Sequence, residues 1–114
     1  MHEMSLTEGV VRILEEQAVQ HGFAKVKTVW LEIGELSQVD PESMLFCFGA
    51  VAKGSPVAAE AVMEIVRVPG RAYCLDCEDT VAVAKRYDPC PRCGGFKLSV
   101  TAGEEMRIKE LEVE

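Results

Sequence analysis

Apolar residues return at helical spacing near the start of the chain. Leu6, Val10, Ile13, Leu14 and Ala18 fall on one stripe, which predicts a helix over 5–22. Ser5 and Glu8 fit a capping box at its start. Gly22 suits the left-handed position after its last turn. Over 25–33 the period shortens to alternation. Val29, Leu31 and Ile33 share one face, and Val26, Thr28 and Trp30 share the other, so the segment reads as a strand. Apolar residues on both faces predict a central strand, ended by Gly34. Asp40-Pro41 then opens a second helix, with Asp40 as the cap and Pro41 at the first helical position. Met44, Phe48 and Val51 lie on one side of it, and Lys53-Gly54 closes it. A second strand is predicted over 61–68.

Pro69-Gly70 marks a boundary in this pattern. Residues 71–102 hold few large apolar side chains and cannot build a sizeable core alone. Within them, 80–85 and 97–100 read as short strands. After Gly103, residues 106–113 read as a strand again. Ile108 and Leu111 stand three apart there, which breaks strict alternation and predicts a bulge. The expected fold class is α+β. A small module of two helices on a three-stranded sheet (residues 1–69 plus 103–114) carries an inserted cysteine-bearing module (70–102).

The chain has 114 residues, 48% of them hydrophobic, and a net charge of −7. A core this small often needs a metal or a disulfide. The acidic balance argues against nucleic acid, whose phosphates need clustered Lys and Arg, and against anionic membranes. The first ten residues lack the basic and apolar regions of a signal peptide. No run approaches the ~20 apolar residues of a membrane span. A cytoplasmic protein is expected, and disulfides are rare in that compartment. Five cysteines there point to a metal or to reactive thiols.

Four of the five form the pattern C-L-D-C, twelve residues, C-P-R-C-G. Each C-x-x-C pair can present two thiolates to one ion, and two pairs complete the closed tetrahedral shell of structural zinc. Cys74, Cys77, Cys90 and Cys93 are therefore the expected zinc ligands, in a zinc-ribbon-like module. Gly94 permits the positive φ that such a turn needs. Two disulfides, a redox pair or an iron–sulfur cluster are the alternatives. A redox C-x-x-C normally opens a helix, which Pro91 and Gly94 do not suggest. The fifth, Cys47, lies in an apolar run and reads as a buried, inert thiol. A closed shell leaves no open position for substrate, and the sequence holds no nucleophile–base arrangement, so an enzyme is not expected.

Met1-His2-Glu3 offers an α-amine, an amide nitrogen and an imidazole within one short chelate, with the Glu3 carboxylate next in line. Nitrogen and oxygen donors in a tetragonal array favour Ni(II) or Cu(II). By itself the triplet also fits a solvated histidine at a chain end. The only other histidine, His21, ends the first helix, where a cation complements the helix dipole.

Taken in order, MHE at the start, W-L-E-I-G-E-L-S, D-P-E-S, the paired C-x-x-C motifs and I-K-E-L-E-V-E at the end closely resemble the HypA/HybF family of hydrogenase maturation proteins, over essentially the full length. The resemblance implies a nickel metallochaperone that helps insert Ni(II) into the large subunit of [NiFe] hydrogenase, working with a HypB-type GTPase. It implies that His2 is the central nickel ligand, that the Met1 amine and nearby backbone nitrogens contribute, and that Glu3 matters beside them. It implies zinc on the four cysteines. Asp40 is near nickel in some members, although its capping role accounts for it equally well. A monomer or weak homodimer is expected. The competing reading is a zinc-ribbon protein–protein adaptor without metal delivery.

Overall fold

The computed structural model describes residues 2–114. Its elements in chain order are α1 (Glu3–His21), β1 (Val26–Gly34), α2 (Pro41–Ala52), β2 (Val62–Val68), β3 (Arg71–Cys74), β4 (Asp79–Ala82), β5 (Leu98–Ala102) and β6 (Met106–Val113). The strands form two three-stranded sheets, ordered β2-β1-β6 and β4-β3-β5. The expected α+β class is observed, and β1 is the central strand that its two apolar faces predict.

Two compact units are formed. The first contains α1, β1 as far as Leu31, Val39–Ile65 and Ile108–Glu114; the second contains Glu32–Gln38 and Val66–Arg107. In the first unit α1 packs on α2. Leu14, Val26, Val29, Leu31 and Met44 are its fully buried large side chains.

The buried stripe of α1 differs from the predicted one. Glu3, Thr7, Val10, Val11, Leu14 and Ala18 are buried, whereas Ile13 is 45% exposed. The stripe turns toward Thr7 because that residue satisfies its own polarity. Its hydroxyl donates to Glu3 O at 3.0 Å and Met4 O at 2.8 Å, so burying it leaves no unpaired group. The helix accordingly starts at Glu3 rather than at Ser5, and Ser5 lies inside its first turn. At the other end Gly22 is left-handed (φ 73), and its N–H bonds Ala18 O, as expected. On α2 the buried stripe is Met44, Phe48 and Ala52. Cys47 is half-buried rather than buried, because it lies beside that stripe and not on it.

In the second unit, β3 pairs antiparallel with β4 and with β5, with an irregularity between Arg71 and Ala72 on the β5 side. Its core is Leu36, Ala72, Cys74, Val81, Val83 and Cys90. Two of these six are cysteines of the C-x-x-C pairs. Gly34 and Gly103 meet backbone to backbone in this unit. A Cβ on Gly34 would lie 1.9 Å from Gly103 O, a distance no side chain can occupy. Gly34 thus does more than end a strand.

Candidate metal centre

Four thiols converge in the second unit. Cys74 ends β3, Cys77 lies in the turn that follows it, and Cys90 and Cys93 flank a turn between β4 and β5. Their sulfur atoms lie within 4.8 Å of one another. Cys74 Sγ is 3.7 Å from Cys93 Sγ, and Cys77 Sγ is 3.9 Å from Cys90 Sγ. A tetrahedral ion with Zn–S distances of about 2.3 Å requires sulfur–sulfur edges of about 3.8 Å. The donor set therefore fits one zinc ion. The same distances are far beyond the ~2.05 Å of a sulfur–sulfur bond, so the chain presents thiols and not two disulfides.

Backbone geometry aims the sulfurs. The N–H groups of Cys77, Arg92 and Gly95 donate to the sulfurs of Cys74, Cys90 and Cys93, each at 3.4 Å. Gly94 takes φ 73, and its N–H reaches Cys90 O at 2.8 Å. That is the positive φ that the C-P-R-C-G spacing predicts. The thiols are poised unequally. Backbone N–H groups of Cys93 and Arg92 lower Cys90 to about 7 against the opposing effect of its burial. The Cys93 thiol, burial and the other two sulfurs push Cys77 up to about 12. Cys74 and Cys90 are buried, Cys77 is half-buried and Cys93 faces solvent.

His2 stands apart from this cluster in the chain, at the amino end of α1. Its backbone is left-handed (φ 40, ψ 20), it makes no side-chain cap bond, and it is exposed. Among the described residues, the first intrahelical bond runs from Leu6 N–H to His2 O, 2.9 Å. The amide nitrogen of His2 therefore precedes the helical ladder, and a metal can take it without breaking a helical hydrogen bond. Met1, the expected amine donor, lies outside the described residues.

Glu3 is 8% exposed, and its Oε2 accepts from Asp40 N–H at 3.3 Å. One carboxylate thus links the start of α1 to the start of α2. The sequence gives no local signal for this contact, because its partners stand 37 residues apart. Asp40 itself caps α2: Oδ1 accepts from Glu42 N–H at 3.3 Å and Oδ2 from Ser43 Oγ–H at 2.8 Å. Both of its oxygens are engaged. Asp40→Ala is expected to lower stability by ~1 kcal/mol, and Asp40→Asn, which still caps, by much less. Urea denaturation of both variants checks this; if alanine and asparagine are equally destabilising, the cap is not what Asp40 supplies.

The family model described as "Hydrogenase/urease nickel incorporation, metallochaperone, hypA" matches residues 1–113. The "Hydrogenase maturation factor HypA" of Rhodopseudomonas palustris strain BisA53 is 60% identical over 114 residues, all of both chains. That of Azotobacter vinelandii is 56% identical over the same span. Among solved structures, the Ni metallochaperone HypA from Helicobacter pylori is similar with a TM-score of 0.72 at 29% identity, covering 99% of this chain and 97% of that one. A second HypA solution structure gives 0.75 at 30% identity, covering 100% and 97%.

Proposed function

Because the chain belongs to the HypA family of nickel-incorporation metallochaperones, we propose that it binds Ni(II) at its amino terminus, on His2, and passes it to the hydrogenase maturation machinery. In this reading the Met1 amine and backbone nitrogens complete the chelate. Glu3 acts beside them, and one zinc ion held by Cys74, Cys77, Cys90 and Cys93 is structural. Nickel is cargo, so nothing is turned over and the protein is not an enzyme.

The observation that carries the reading is the contrast between the two donor sets. The four-thiolate set is complete, and half of it is buried in a core. His2 is exposed at the edge of a helix, with its amide nitrogen outside the hydrogen-bonded ladder. A tethered terminal chelate can release its ion one ligand at a time, whereas a cage of four fixed thiolates cannot.

The finer partners follow from the same reading: a HypB-type GTPase and the large subunit of [NiFe] hydrogenase. A cytoplasmic location agrees with that role. No helix among the described residues is long and apolar enough to cross a membrane. The module carrying nickel is residues 1–69 plus 103–114, and that carrying zinc is 70–102.

A chain extended by a few residues before Met1 tests the site. Extension turns the α-amine into an amide and moves the chain end away from the imidazole. Zinc content and helix content should persist, while nickel affinity falls sharply. In the native chain, nickel must displace protons from an amine with a pKa of ~7.7–8.0 and an imidazole near ~6.5. Affinity should therefore rise with pH between ~6 and ~8. Equal affinity of extended and native chains at neutral pH, read by calorimetry, removes the amine from the site.

A further inference from the structure

The side of α2 that turns away from its own core is apolar. Met44, Phe48 and Ala52 are its buried stripe. On the opposite side Leu45 is 44% and Phe46 78% exposed, and Gly49 and Ala50 are exposed beside them. Glu42 and Lys53, both exposed, bound this side at its two ends, and no charged residue lies between them. Positions 42, 45, 46, 49, 50 and 53 recur at helical spacing, so they form one continuous strip. A single exposed apolar side chain is ordinary; a contiguous strip marks an interaction surface.

Gly49 is a second, independent observation. A glycine in the middle of a helix costs stability relative to alanine. Its own fold does not require it. A Cβ on Gly49 would meet no atom within 4 Å, and its φ is not in the left-handed range. The hollow therefore opens outward, three positions from the exposed ring of Phe46 on the same strip. Close approach of another surface gives such a glycine its reason.

We propose that this strip is an interface between two copies of the chain, with α2 of one packed antiparallel on α2 of the other about a two-fold axis. The strip is self-complementary in one register. Reversing the helix about a point midway between Cys47 and Phe48 sets Phe46 against Gly49 of the second copy, Leu45 against Ala50 and Glu42 against Lys53, and symmetry makes each contact twice. Large meets small at the centre, where small residues let the helix axes approach. Acid meets base at both ends, and neither charge is in an ion pair within the chain among the described residues. A shift of one turn in either direction takes Glu42 and Lys53 away from each other. Charge and shape thus select a second copy as the occupant. Twelve residues of helix on each side bury less than the ~1,200 Å² of a standard interface, so the pairing is weak and reversible. It does not depend on the nickel reading.

Sedimentation equilibrium of the zinc-loaded full chain tests the pairing. From micromolar to millimolar concentration the native chain should pass from monomer to dimer, and the amide resonances of 42–53 should shift over the same range. Phe46→Ser should weaken association about tenfold or more. Gly49→Gln should weaken it as well, yet raise the melting temperature of the dilute monomer, because it fills the hollow with a better helix former. Glu42→Lys and Lys53→Glu should each weaken self-association about threefold or more. An equimolar mixture of those two variants should recover it, because each lysine then faces a glutamate of the other chain. The proposal is overturned if the native chain stays monomeric at millimolar concentration, if Phe46→Ser and Gly49→Gln associate like the native chain, or if the mixture associates no better than its components. Concentration-dependent shifts confined to residues outside α2 would overturn it too, because they would put the contact elsewhere.

Discussion

Cys90→Ala is expected to strip the zinc and unfold the second unit while the first stays folded. Cys90 is 1% exposed and belongs, with Cys74, to a core whose remaining members are Leu36, Ala72, Val81 and Val83. Three of those are large aliphatic side chains, too few to hold two C-x-x-C turns and their connecting loop without a metal. A structural zinc site contributes ~10–16 kcal/mol of apparent binding free energy, as much as the whole net stability of an ordinary domain, ~5–15 kcal/mol. The first unit keeps its own core of Leu14, Val26, Val29, Leu31 and Met44. Amide resonances of 70–102 should collapse to the narrow range of an unfolded chain, while those of α1 and α2 keep their dispersion. Metal analysis should fall from one zinc per chain to none. A second unit that stays dispersed without zinc would show that its apolar contacts suffice. Acid should act in the same direction as the mutation. Each thiol must lose its proton to bind zinc, so affinity falls as pH falls, and the Cys77 proton, held up to about 12 by the neighbouring sulfurs and by burial, opposes loading.

His2→Ala is expected to abolish specific nickel binding and hydrogenase maturation with fold and zinc content unchanged. The imidazole is exposed and makes no cap bond, so its removal deletes no buried contact. The backbone carbonyl that anchors Leu6 N–H remains. The left-handed φ of 40 adds a modest strain for alanine as it does for histidine. His2→Gly relieves that strain and still lacks the ligand, and it should bind nickel no better. Calorimetry with zinc in place decides the matter: unchanged stoichiometry and affinity in both variants would remove His2 from the nickel site. Zinc content serves as the internal control, because the thiolate cluster shares no ligand with the amino terminus.

The features legible in the sequence are those set by neighbours within a few residues. Asp40-Pro41 caps α2 because a side chain two residues away reaches a backbone N–H. Gly22 ends α1 because a left-handed residue is needed one turn after Ala18. The two C-x-x-C pairs and Gly94 announce zinc because the knuckle is a local turn whose donors lie three apart. Apolar residues on both faces of β1 likewise mark it as the central strand. The amino-terminal chelate we propose would be local for the same reason.

Only the tertiary structure decided what depends on distant partners. Period alone placed Ile13 in the core of α1. Packing on α2 turned the helix so that Thr7 and Glu3 are buried instead, since the Thr7 hydroxyl is satisfied by carbonyls one turn back and the Glu3 carboxylate by Asp40 N–H. The closeness of Gly34 to Gly103, the strand β3 and the left-handed Tyr87 are of the same kind. Each is fixed by a carbonyl, carboxylate or strand contributed from elsewhere in the chain. A hydrophobic period reports which side chains prefer burial; it carries no information about which polar groups will find partners once buried, and those partners set the rotation of α1 and the shape of the turns.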